Sequence, residues 1–157
     1  MNLENKPYTE ESVTAICEKL KSSGKAAVIA ENTDMMPLLH EDRDMITVVN
    51  PQGKLKKDDI VFYQSGDGQY KISRVVFINA DTYVMCGDAV WINEYNVSDE
   101  QVVGVMKSFV RKGRKYSADS KEYERYLKLL PAVRWIYRFY NSLRIRIINF
   151  IKYLTKK

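Results

Sequence analysis

Apolar positions change period twice along the chain, and the two changes divide it into three parts. Val13, Ile16, Cys17 and Leu20 recur at i, i+3, i+4 and i+7, the spacing of one helical face. Thr9 supplies a hydroxyl cap ahead of them, and Glu10 and Glu11 put acids in the first turn, where the helix dipole favours them. Gly24 marks the stop. From residue 26 the apolar runs become short and β-rich, at 26–30, 45–49, 60–64, 69–78, 82–86 and 101–110. Asn50-Pro51-Gln52-Gly53, Ser65-Gly66-Asp67-Gly68 and Asn79-Ala80-Asp81 punctuate them as turns. Evenly spaced short strands predict a mainly β domain with flanking helices, its sheet a coiled antiparallel one or partial barrel. The runs at 60–64 and 69–78 make its clearest hairpin.

Helical spacing returns after Lys112-Gly113-Arg114-Lys115. One helix is expected over 122–130, broken at Pro131, and a second over 132–155. On the second, Val133, Ile136, Tyr137, Tyr140, Leu143, Ile147, Ile151 and Leu154 share a face; Arg134, Arg138, Asn141, Asn149 and Lys152 lie opposite, and Arg144 intrudes on the apolar side. The expected organisation is an N-terminal helix packed on the body (1–25), a β domain (26–117) and a basic amphipathic helical tail (118–157).

Charge sharpens this division. The chain is +5 overall, but residues 132–157 carry seven Lys and Arg and no acid, which leaves the rest at 18 basic and 20 acidic residues. A mildly acidic body argues against a nucleic-acid partner, whose basic footprint belongs on the folded face. The tail's Arg134, Arg138, Arg144, Arg146 and Lys152, set among Trp135, Tyr137, Phe139, Tyr140 and Tyr153, are what helices on an anionic membrane surface use. Packing on the body and binding an acidic partner are the other two readings of the tail. With 157 residues the chain suits one domain; its two cysteines and one histidine exclude a disulfide framework and the usual zinc sites, and no cofactor or metal is called for. Cys17 and Cys86 read as buried, reduced thiols in a cytoplasmic protein, peripheral on the inner face of a membrane. No signal peptide and no apolar run of about 18 residues is present.

One segment carries candidate chemistry. Asn32-Thr33-Asp34-Met35-Met36-Pro37-Leu38-Leu39 follows the strand at 26–30 and runs into Glu41, Asp42 and Asp44. It resembles the nucleophile loop, G-x-S-M-x-P-x-L, of the signal peptidase I and LexA-like serine peptidases. Further boxes follow in that family's order. Lys57-Asp58-Asp59-Ile60-Val61 resembles G-D-I-V, and Ser73-Arg74-Val75-Val76 resembles the strand that carries the general base. Gly87-Asp88-Ala89 resembles G-D-N, and Val102-Val103-Gly104-Val105 the closing V-x-G-V strand. The resemblance spans about residues 26–112.

What the resemblance implies is a fold without its chemistry. Asp34 stands at the nucleophile position and Ser73 at the base position, with Lys71 and Asp88 nearby. An aspartate is a feeble nucleophile toward an amide and puts negative charge where an oxyanion must form. Loss of such groups costs roughly 10⁴ to 10⁶ in rate in the worked subtilisin case. The family's glycines are replaced by Asn32, Asp42 and Asp58, residue types that best tolerate left-handed backbone after glycine. The implied function is a pseudoenzyme that binds an extended peptide or protein segment by strand addition, with Met35, Met36 and Pro37 lining the cleft or packing the core. Two alternatives stand beside it: an active serine peptidase using Ser73 with Lys71, and a membrane-surface adaptor. Two residues apart on a strand, Lys71 and Ser73 share a face, so Lys71 is also expected to reach Asp34 as an ion pair.

Overall fold

The computed structural model describes residues 8–154; within that span the side chains of Arg138, Asn141, Ile145, Asn149, Phe150, Lys152 and Leu154 lie outside the described residues. Helix α1 (Glu10–Ser23) begins and ends at its expected caps. Thr9 Oγ1 accepts from the Ser12 amide at 3.2 Å, and Gly24, at φ 69°, donates its amide to the Leu20 carbonyl at 3.0 Å. Val13, Ile16 and Leu20 are its buried face.

Eight strands follow: β1 (Lys25–Ile29), β2 (Met45–Val49), β3 (Ile60–Gln64), β4 (Tyr70–Ile78), β5 (Tyr83–Cys86), β6 (Glu94–Val97), β7 (Val102–Arg111) and β8 (Arg114–Ser117). They form one antiparallel sheet, ordered β1-β2-β7-β3-β4-β5-β6 with β8 on β7, that does not close. The fold is therefore mainly β, as the strand spacing predicts. Strand β3 lies at its centre and is buried on both faces. Ile60 and Phe62 join the core under α1, with Val28, Leu38, Leu39, Ile46 and Phe109. Val61 and Tyr63 join a second core with Val75, Tyr83, Met85 and Val97.

Two short strands are additions to the expected set. β8 returns along β7 through a two-residue turn at Lys112 and Gly113, whose φ values of 50° and 74° match the hairpin turns that suit twisted strands. β6 pairs with β5 and forms one edge of the sheet.

The C-terminal region differs from expectation in one respect. Helix α2 runs unbroken from Lys121 to Leu154, with Pro131 inside it. Proline removes one intrahelical hydrogen bond; packing of Tyr123, Leu127 and Leu130 on the body anchors the turns before it, and the amphipathic pattern continues after it. Beyond Pro131 Val133 and Tyr137 are half-buried, and most of the other described apolar side chains are exposed. Trp135, Ile136, Phe139, Tyr140, Leu143, Ile147, Ile148 and Ile151 are all exposed. Among the described residues no helix is long and apolar enough to cross a membrane.

Candidate functional site

The loop after β1 is built by short-range hydrogen bonds and one buried acid. Asn32 Oδ1 accepts the Asp34 amide at 3.2 Å, and the Met36 amide donates to the Thr33 carbonyl at 3.1 Å. Asp44, whose side chain is fully buried, closes the loop. Its carboxylate accepts from Arg43 Nε and Nη2, both at 2.8 Å, from the His40 amide at 3.0 Å and from the Lys112 amide at 3.2 Å. Burial resists its ionisation, but those donors outweigh burial and hold its pKa down at about 2. Asp42 and Asp58 take φ values of 53° and 74°, the left-handed backbone expected where glycine would otherwise stand; Asn32 does not adopt a positive φ. Met35 is buried in the core, whereas Met36 and Pro37 are half-buried at the surface.

Asp34 is fixed by its own backbone. Its carbonyl accepts the Ala89 amide at 2.8 Å, and a methyl group at Gly87 would lie 2.6 Å from that same oxygen. Only glycine lets the 87–89 segment approach so closely. Burial pushes the Asp34 carboxyl up, opposed by the Lys71 ammonium.

β3 and β4 bring the other residues alongside. Ser73 is buried opposite Val61, and Lys71 lies opposite Tyr63, on one face of the sheet. The Tyr63 hydroxyl donates to Glu94 Oε2 at 2.9 Å; burial is the first cause that pushes its pKa up, and the Asp34 charge adds to it. Tyr63 and Ser73 lie on the same face of the paired strands, one diagonal step apart. Lys71 makes no ion pair with Asp34. Its ammonium donates to Asp67 Oδ2 at 3.0 Å and to Ser65 Oγ at 2.9 Å, while Ser65 donates its own proton to Glu94 Oε1 at 2.5 Å. The expected pair loses to an acid in the tight turn of the same hairpin.

Asp88 is a buried hydrogen-bonding residue. It and Arg74 are fully buried and paired through two hydrogen bonds, Nε to Oδ1 at 2.7 Å and Nη2 to Oδ2 at 2.6 Å. Arg74 Nη1 donates to the Asp58 carbonyl (2.9 Å) and the Tyr123 hydroxyl (2.7 Å), and Tyr126 donates to Asp88 Oδ2 (2.8 Å). The guanidinium also lies 5.7 and 5.9 Å from the Tyr123 and Tyr126 ring centres. This network ties the 58 turn, β4, the 87–89 segment and α2 together.

The basic residues of the tail divide. Arg134 turns to the body, with Nη2 3.7 Å from Asp88 Oδ1, while Arg144 and Arg146 are exposed. The side chains of Arg138 and Lys152 lie outside the described residues. Sequence reasoning missed Tyr63, Ser65 and Glu94, which join residues about thirty positions apart with no local signal. Among the described residues no group of three or more His, Cys, Asp or Glu is placed to hold a metal ion. Compared with known proteins, the chain matches no family model, no curated protein and no solved structure.

Proposed function

We propose that this chain is a catalytically silent relative of the signal peptidase I and LexA-like serine peptidases, a module that binds an extended peptide or protein segment beside an anionic membrane. One observation carries the reading: Asp34 packs against Gly87, directly after Cys86, the partner of Arg74 in β4, so the residue at the nucleophile position lies alongside the strand that carries Ser73, and neither residue has the required chemistry. The left-handed backbone at Asp42 and Asp58, in two of the three positions where the family has glycine, supports it. The alternative of a Ser73–Lys71 peptidase is disfavoured by where Lys71 points. A base must be free to accept a proton, and this ammonium is paired with Asp67.

The test is labelling by a serine-directed fluorophosphonate of the wild-type chain, Asp34→Ser, Ser73→His and the double variant. Wild type and both single variants should stay unlabelled. Asp34→Ser has no base beside it, and Ser73→His faces a carboxylate. The double variant should label weakly, because placement errors near 1 Å cost about 10²-fold. Wild-type labelling that disappears in Ser73→Ala would make the chain an active peptidase.

A further inference from the structure

We infer that the cavity between α2 and the segment following β5 binds a small apolar monocarboxylate. The cavity measures about 670 Å³, within the ~300–1,000 Å³ usual for ligand sites. Val90, Leu127, Leu130 and the indoles of Trp91 and Trp135 make its apolar wall, and Arg134 and Lys57 supply cations. Beyond Trp135 the trench continues past Trp91 to Phe139, which stacks on Trp135 at 5.9 Å. The site therefore has a charged end and an apolar run leading away from it.

The charged end is incomplete. Among the described residues Nε and Nη2 of Arg134 find no hydrogen-bond partner, and both are closed off from water. Asp88 is 3.7 Å away, too far for a hydrogen bond, and its two oxygens already accept from Arg74 and Tyr126. Shielded guanidinium donors without an acceptor are costly, more so than neutral ones. The Arg134 side chain keeps 31% exposure and forms part of the cavity wall. A carboxylate entering the cavity pairs with the exposed part of this guanidinium.

Local charge selects a single negative charge. The cavity lining carries Lys57 and Arg134 against Asp58, one positive charge in excess, while Arg74 and Asp88 behind it neutralise each other. A carboxylate balances that excess, whereas a phosphate near two negative charges overshoots it. The apolar wall then takes the remainder of the molecule.

The chain's two tryptophans both line this cavity, so intrinsic fluorescence reports on it directly. Full-length protein is titrated with sodium decanoate below its micelle concentration, with stoichiometry taken from calorimetry. We expect saturable one-to-one binding that shifts the tryptophan emission. Decanol, with the same tail and no charge, and decyl phosphate should each bind at least tenfold more weakly. Arg134→Gln should lose at least tenfold, and Ala89→Leu, which fills the cavity, should not bind. Decanol binding as tightly as decanoate would reduce the site to a greasy trough and overturn the inference. So would decyl phosphate binding equally well, or an Arg134→Gln protein that melts like wild type and keeps full affinity. If either variant fails to fold, the wild-type comparison of the three ligands still decides.

Discussion

At the scale of single residues, the acids of the 31–44 segment divide by what they touch. Asp34 faces an ammonium that is already engaged, whereas Asp44 is fully buried and accepts four hydrogen bonds that pin the loop to β7's far end. Its folded pKa of about 2 lies below the ~3.9 of an unfolded aspartate. A depressed pKa means stability that is fully present above about pH 4 and is lost as pH falls through about 2, worth roughly 2 kcal/mol. Asp44→Asn, a near-isostere of the protonated acid, removes that contribution at every pH. Wild type should therefore exceed the variant in urea unfolding by roughly 2 kcal/mol near neutrality, with the gap closing between about pH 4 and 2. A gap constant over that window would show that Asp44 acts through shape and not charge. Nothing local in the sequence separates Asp44 from Asp34 or Asp42, because its donors include an amide 68 residues away.

At the scale of elements, what was legible had a local cause. The caps of α1, the β3–β4 hairpin and the left-handed backbone at Asp42 and Asp58 all follow from residue types acting on their own backbone. β6 and β8 were not legible, for two different reasons. Asn96, at φ 61°, breaks alternation in β6, and β8 (Arg-Lys-Tyr-Ser) has a single ring, Tyr116 stacked on Phe109, too little for an alternating pattern to show. Helix α2 shows the same contrast within one element. Its first turns bring Tyr123 and Tyr126 onto the buried Arg74–Asp88 pair, while its later turns carry exposed apolar side chains. The two parts should therefore separate energetically. Removing residues 132–157 costs the weak Arg134 contact and the partial burial of Val133 and Tyr137, and should change unfolding free energy by no more than about 1–2 kcal/mol. Removing 119–157 strips hydroxyl and ring partners from a fully desolvated ion pair and should cost on the order of 3 kcal/mol or more. Equal losses for the two truncations would mean that the distal helix packs on the body after all.

At the scale of the whole molecule, charge and apolar exposure coincide in one place. The body is slightly acidic and buries its apolar residues in two cores, apart from a few such as Phe77 and Ile92. The distal half of α2 is basic and, among the described residues, exposes eight large apolar side chains from Trp135 to Ile151. Each cation near an anionic bilayer contributes about 1 kcal/mol, screened by salt, and the apolar face adds its own transfer energy once it enters the interface. Together they are the terms that the proposed binding to a membrane surface would draw on. The full chain should co-sediment with vesicles containing phosphatidylserine at low salt and release progressively as salt rises, and the chain ending at residue 131 should stay in the supernatant throughout. Mutating Arg144 and Arg146 together to Gln should weaken binding by one to two powers of ten, since about 1 kcal/mol each is lost. Equal binding of wild type to neutral vesicles in high salt would leave the cations without a role and make the exposed face a site for a protein partner instead.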